Sequence, residues 1–161
     1  MIRAILACDE KWGIGKNGTL PWPNNSADLK WFKESTTGGV VVMGKTTWDS
    51  LPEKSKPLPN RNNIVVTSSL KDKDGPYHFI KFENAKDHIV SMSKLQPVWI
   101  IGGAKLFEST IDIMDEIWLS NIAGEYDCDT FLPKWKIMRQ FTIGNTTFMK
   151  NGPIITKWVR R

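Results

Sequence analysis

Val40-Val41-Val42-Met43-Gly44-Lys45-Thr46-Thr47-Trp48 passes without a linker from apolar, mostly β-branched residues to a glycine and then to helix-compatible residues. A short apolar run bounded by turn residues reads as a buried strand. Gly44 stands where that strand would hand over to a helix over 46–51. The same succession recurs at Val98-Trp99-Ile100-Ile101-Gly102-Gly103-Ala104-Lys105, where a strand over 98–101 meets a helix over Ala104–Thr110. Further strands are expected at Ile2–Cys8, 64–66 and 117–122, and further helices at 27–36 and 85–95. Such alternation implies an α/β fold, a mostly parallel central sheet with helices on both faces. The tail differs. Apolar runs at 141–149 and 154–159 flank Lys150-Asn151-Gly152-Pro153, and Asn-Gly between two such runs signals a hairpin. The sheet should therefore end in an antiparallel pair. Residues 52–63, rich in Pro, Lys and Asn, are expected to form a surface loop.

At 161 residues the chain has the size of one compact domain, and no repeat or linker divides 1–161. No apolar run approaches the length of a membrane span, and Ile2–Cys8 is too short for a signal peptide. Cys8 and Cys128 make no disulfide framework, which points to a reducing cytoplasm. Lys and Arg outnumber Asp and Glu by 22 to 17, a net charge of +5, which suits phosphates and carboxylates. The basic residues are scattered, with no arginine-rich tract or groove-reading motif, so no nucleic-acid partner is expected. Core packing accounts for most of the eight tryptophans, which sit beside other apolar residues. No metal site is expected.

Gly13-Ile14-Gly15-Lys16-Asn17-Gly18-Thr19-Leu20-Pro21-Trp22 places three glycines in six residues after the first strand. These glycines do not open a helix, so the segment is no dinucleotide fingerprint. It fits either a plain surface loop or a lid over the carboxyl edge of the sheet, where open α/β sheets bind ligands. Ser26-Ala27-Asp28-Leu29-Lys30-Trp31-Phe32 opens a helix that Ser26 can cap, with Asp28 in its first turn. A first-turn acid can serve the helix dipole alone. Asp28 also shares a face with Phe32, beside Leu29 and Trp31, and a carboxylate among apolar neighbours needs a partner. A flat amino-heterocycle donating two hydrogen bonds is such a partner, with burial opposing the dipole in setting the acid's pKa. Gly44 and Gly102-Gly103 stand where helices begin, and free amides there bind anions. Thr67-Ser68-Ser69 ends a strand in hydroxyls. Glycines and hydroxyls can equally serve only turns, but three such strand ends together point to a nucleotide cofactor.

In order and spacing from Ile2 to Arg161, several segments resemble the motifs of the dihydrofolate reductase family: Leu20-Pro21-Trp22, Ala27-Asp28-Leu29, Met43-Gly44-Lys45-Thr46-Thr47-Trp48, Pro57-Leu58-Pro59-Asn60-Arg61, Ile101-Gly102-Gly103 and Asp129-Thr130. The resemblance implies a single-domain fold, an eight-stranded mixed sheet flanked by four helices. It implies NADPH-dependent reduction of 7,8-dihydrofolate to tetrahydrofolate, with hydride to C6 and a proton to N5, supporting one-carbon metabolism and thymidylate synthesis. Asp28 would then bind the pterin's 2-amino group and adjacent ring nitrogen, Ser120 (usually threonine) would link Asp28 to the pterin, and Leu20 and Trp22 would border the water that supplies the proton. Ile5, Ala7, Leu29, Phe32, Leu51, Leu58 and Ile101 would form apolar walls, and Arg61 would grip the α-carboxylate of the glutamate tail with its planar fork.

For the cofactor, the resemblance implies that Gly44, Lys45, Thr46 and Thr47 with Gly102, Gly103, Ala104 and Lys105 hold the pyrophosphate and adenosine end. Lys45, Thr67 and Ser68 would lie near the 2′-phosphate, and Ala7, Ile14, Gly15, Asn17, Leu20, Ile101, Leu106, Phe107 and Thr130 would complete the contacts. The family further implies a cis Gly102-Gly103 peptide, a lid from Gly15 to Leu20, competition by methotrexate and trimethoprim, and a monomer. Three features depart from its pattern. Lys45 stands where arginine is frequent, which gives the 2′-phosphate a compact charge and a weaker preference for NADPH over NADH. Phe107 replaces a common tyrosine, and Pro23-Asn24-Asn25 makes the entry to the helix about one residue longer than in many bacterial members. Two other readings stand beside this one. One is a reductase of the same fold acting on a ribosylated pyrimidine in riboflavin synthesis, against which Pro21-Trp22 and Ser26-Ala27 ahead of Asp28 weigh. The other is a catalytically silent nucleotide- or nucleic-acid-binding module.

Overall fold

The computed structural model describes residues 1–68 and 77–161, so Ser69 of the hydroxyl-rich strand end lies outside the described residues. Along the chain come β1 (Ile2–Cys8), β2 (Gly13–Gly15), α1 (Ser26–Thr36), β3 (Val40–Gly44), α2 (Lys45–Ser50), β4 (Asn62–Thr67) and β5 (Tyr77–Lys81). There follow α3 (Ala85–Ser93), β6 (Val98–Ile100), α4 (Ala104–Thr110), β7 (Glu116–Asn121), β8 (Thr130–Phe131), α5 (Lys134–Gln140), β9 (Phe141–Phe148) and β10 (Ile154–Arg160). Among the described residues, eight strands form one sheet in the order β5-β4-β3-β6-β1-β7-β10-β9, while β2 and β8 pair separately. Every pairing from β5 across to β7 is parallel. β10 runs antiparallel to both β7 and β9, the terminal hairpin expected from Asn151-Gly152.

The two-residue period of a strand decides which helix each side chain meets. Ile2, Ala4 and Cys8 of β1, Val40 and Val42 of β3, Val98 and Ile100 of β6, and Ile117 and Leu119 of β7 join one core with α3 and α4 residues Ala85, Ile89, Leu106 and Phe107. Their neighbours Ile5, Val41, Met43 and Trp99 join a second core with Trp48 of α2, against which Trp31, Phe32 and Trp118 pack. Burial on both faces explains why these strands read as unbroken apolar runs. By the same period Ser120 shares a face with Trp118, the face that α1 covers. Because β6 separates β1 from β3, the strand order reverses there, and open α/β sheets place ligand crevices at such a switch.

Four features differ from the sequence expectation. β5 pairs only with β4 at the edge of the sheet, so its short run needs no continuous apolar pattern. α5 adds a fifth α-helix among the described residues; it is seven residues long with Ile137 as its buried anchor, too brief for a clear helical stripe. Asn25, not Ser26, caps α1: its Oδ1 accepts from the Asp28 N–H at 3.0 Å, while its Nδ2 donates to the Asn151 carbonyl at 3.2 Å. That tertiary bond selects between two adjacent residues of similar capping ability. Finally, the surface loop is not polar throughout. Leu58 is buried and Asn63 is fully enclosed, already within β4.

Candidate active site

Asp28 is the third residue of α1, half-buried where the helix passes over the second core. Ser120 on β7 is buried and donates from Oγ to Asp28 Oδ1 at 2.6 Å. Burial pushes the Asp28 carboxyl above its ordinary value, and the Ser120 hydroxyl pulls the other way without cancelling it. The result is a carboxylate with one oxygen already oriented by a neutral donor. Ile5, Phe32, Leu51, Leu58 and Ile101 belong to the second core, on the face of the sheet that α1 covers. Ala7 lies opposite Ser120 in the β1–β7 register. Leu20 and Leu29 are 57% and 52% exposed, large apolar surface that the protein itself leaves uncovered. Trp22 is buried, edge-on to Tyr126 at 5.8 Å.

Arg61 sits at the far end of α1. Its Nε donates to the Pro59 carbonyl at 2.9 Å, one terminal nitrogen donates to Thr36 Oγ1 at 3.1 Å, and the guanidinium lies 5.8 Å from the Phe32 ring centre. Nothing in the sequence singles out the residue that arranges this segment. The Asn63 side chain donates to the carbonyls of Leu58 and Arg61 at 2.9 and 3.0 Å and accepts from the Leu58 N–H at 2.9 Å. One enclosed amide thus fixes both an apolar wall residue and the arginine.

Across the switch, the Gly44 N–H donates to the Gly102 carbonyl at 2.8 Å, joining the ends of β3 and β6. The Gly102-Gly103 peptide is cis. A Cβ placed on Gly44 or Gly103 would meet nothing closer than 3.7 Å, so protein packing alone does not require glycine at either position. Bare backbone, the Thr46 and Thr47 hydroxyls and the exposed Lys45 cation suit the phosphates of a dinucleotide. Lys45 is already paired, its Nζ lying 2.5 Å from Asp49 Oδ1 one helical turn on. Thr67 is buried at the end of β4 and Ser68 is exposed. Lys105 rests over the Phe82 ring at 4.7 Å. Leu106 and Phe107 are enclosed in the first core.

The glycine-rich loop is stapled at both ends. Asp9, buried just beyond β1, accepts from the N–H groups of Lys11 and Gly13 on Oδ1 and from the Tyr126 N–H and the Cys128 thiol on Oδ2. Burial alone would raise this acid, yet those donors hold it below the usual carboxylate value. Further on, Asp129 Oδ2 accepts from the Asn17 N–H at 2.9 Å while its own N–H donates to the Gly15 carbonyl at 3.0 Å. Ile14 and Gly15 thereby lie beside Thr130, in the β2–β8 pair. A side chain at Gly18 would come within 3.5 Å of the Thr46 methyl, so the loop reaches the start of α2.

The order of the sheet and the residues gathered at its carboxyl edge define an α/β fold with a candidate site at the strand switch. The profile of the dihydrofolate reductase family matches residues 1–153. A viral dihydrofolate reductase of Saimiriine herpesvirus 2 is 35% identical over 147 residues, 83% of this chain and 69% of that protein. The Mus musculus dihydrofolate reductase is 33% identical over 159 residues, 87% of this chain and 85% of that protein. In three dimensions, the chain is similar to an Enterococcus faecalis dihydrofolate reductase complexed with NADP(H) and RAB-propyl, at a TM-score of 0.83 and 28% identity, covering 99% of this chain and 96% of that one. The chain therefore belongs to the dihydrofolate reductase family, and it is an oxidoreductase. Among the described residues no helix is long and apolar enough to cross a membrane.

Proposed function

We propose that this protein reduces 7,8-dihydrofolate to 5,6,7,8-tetrahydrofolate with NADPH, hydride going to C6 and a proton to N5 of the pterin. The observation that carries the reading is the half-buried Asp28 carboxylate, oriented by Ser120 at 2.6 Å over an apolar floor. Such a group receives the pterin's 2-amino group and neighbouring ring N–H, while Ser120 extends the hydrogen-bonded chain. Leu20 and Trp22 border the route by which water brings the N5 proton, and the apolar walls exclude bulk solvent elsewhere. Arg61, anchored by Pro59 and Thr36, takes the α-carboxylate of the glutamate tail. The protein's contribution is orientation and electrostatics, and NADPH supplies the reducing equivalent.

NADPH fits the bare glycines at 44, 102 and 103, with Thr46, Thr47, Ala104 and Lys105 along the pyrophosphate and adenosine end and Lys45, Thr67 and Ser68 toward the 2′-phosphate. Gly15 to Leu20, with Ile14, Asn17 and Thr130, form the lid. We place the protein in the cytoplasm as a monomer, in keeping with its two free thiols, with methotrexate and trimethoprim as competitors. The test is the decline of NADPH absorbance when dihydrofolate is added to purified protein. Oxidation abolished by methotrexate supports the reading. Tight NADPH binding without oxidation overturns it.

A further inference from the structure

The face of the sheet beneath α1 carries a stack that the reaction itself does not call for. Trp118 precedes Ser120 by two residues on β7, and Trp31 follows Asp28 by three on α1, so each partner of the Asp28–Ser120 bond has a tryptophan beside it on the same face. The two indoles pack at 5.6 Å between centroids, tilted by 32°. Trp118 is gripped from every other side. Trp99 meets it edge-on at 4.9 Å. Lys157, its register partner on β10, lies 3.9 Å from its centroid, and the Arg3 guanidinium lies 5.2 Å away. Its indole N–H donates to Glu116 Oε1 at 3.0 Å, and that same oxygen accepts from Arg3 Nε at 2.8 Å. Arg3, Glu116 and Lys157 are the charged groups that face the stack. Together they contact Trp118 over its ring and at its indole N–H.

Trp31 shares Lys157, whose Nζ lies 5.4 Å from its centroid, but has none of the Arg3 and Glu116 contacts described for Trp118. Trp31 Nε1 is the buried side-chain polar atom that finds no partner among the described residues, an unfavourable position that ring packing must outweigh. We infer that Trp118 is a positioning residue: clamped by Arg3, Glu116 and Lys157, it sets through Trp31 the spacing between α1 and β7 and so the contact of Asp28 with Ser120. Two links then join the helix to the strand, and the short polar one depends on the aromatic one. The inference rests on the proposed function only for its catalytic consequence; the spacing it describes can be measured without turnover.

The experiment is a cycle of Ser120→Ala, Trp118→Leu and the double variant, read by carbon NMR of the Asp28 carboxyl across a pH titration. Removing the hydroxyl donor raises the Asp28 midpoint in the Trp118 background. If Trp118 sets the spacing, the same change has little effect in Trp118→Leu, where the bond is already lost. Equal Ser120→Ala shifts in both backgrounds overturn the inference. Alongside, Trp118→Leu lowers kcat/KM for dihydrofolate about tenfold, less than the roughly 100-fold that a 1 Å misplacement can cost, and leaves the Kd for NADPH unchanged. An equal loss in both ligands would mark Trp118 as merely structural. Should Trp118→Leu fail to fold, Lys157→Met, which loosens the clamp and keeps the rings, shows a smaller loss of coupling, and full coupling there counts against the proposal. A wild-type protein that does not oxidise NADPH would remove the proposed function, while the titration cycle would still decide the spacing.

Discussion

Asp28 and Lys45 stand on either side of β6, and their surroundings differ in how far along the chain they were gathered. Asp28 is half-buried and takes its partner from 92 residues away, in a helix whose cap is itself tied to the terminal hairpin. Lys45 is exposed and paired with a residue four positions on in its own short helix. A preorganised, partly dry carboxylate strengthens every interaction made to it, whereas an exposed ion pair is screened and contributes little. The proposed substrate side, at Asp28, should therefore be brittle to mutation and the proposed cofactor side, at Lys45, tolerant.

The largest effect expected is at Asp28. Asp28→Asn keeps the fold and lowers kcat/KM for dihydrofolate by roughly 10²–10⁴-fold, the range for a positioned proton-handling group; near-normal turnover would end the comparison. Stability should move the other way. Because burial raises the folded-state pKa of Asp28, its stabilising contribution is complete below the unfolded pKa and lost as pH rises through the folded value. The asparagine variant should then melt no lower than wild type at pH 7, an advantage that disappears in acid. Antifolate affinity in the wild type should fall as pH drops through that same raised value, as titration of methotrexate binding would reveal.

Next in size is Arg61→Ala, expected to raise the KM for dihydrofolate about 10–100-fold, the worth of charge-assisted hydrogen bonds, with NADPH affinity unchanged. A shift in both constants would mean that the two sides are not separable. On the cofactor side, Lys45→Ala should weaken NADPH about fivefold, in line with a surface charge contact of about 1 kcal/mol, and spare NADH. Asp49→Asn, which frees the lysine, should tighten NADPH by a similar factor, and added salt should shrink both changes. Fluorescence titration with the two cofactors separates these outcomes. Smallest is the lid. Asp129→Ala should speed exchange of the Asn17 amide without moving the melting temperature, and unchanged exchange would show that the loop is held elsewhere.

The alternating elements were legible in the sequence because each buried strand carries a continuous apolar run, and the hairpin was legible because Asn151-Gly152 is a local signal. Asp28 stood out for the same local reason, a carboxylate set among aromatic neighbours. Asn63 did not, since its three bonds run to backbone atoms of a loop whose shape the sequence does not declare. Nor did Asp9, an ordinary acid by composition, whose donors come partly from residues 126 and 128. The cap reads as Ser26 in the sequence, and the tertiary contact to Asn151 accompanies its shift to Asn25. Leu106 and Phe107 carry a family expectation of cofactor contact, and the helical period packs both side chains in the core. What escaped sequence reading was a polar side chain whose bonds run mainly to backbone groups, near or far, that only the folded loops bring within reach.

The strand order has a consequence for synthesis on the ribosome. β1 is the first of these strands to be made, yet both its neighbours, β6 and β7, span residues 98–121. Its apolar side chains and unpaired amides must wait for most of the chain, and pairings this distant in sequence form slowly. During that interval the nascent polypeptide presents a sticky, unsatisfied edge of the kind that holding chaperones shield. The Asp28–Ser120 contact cannot exist before β7 emerges, so the site takes shape only after residue 120 has left the ribosome.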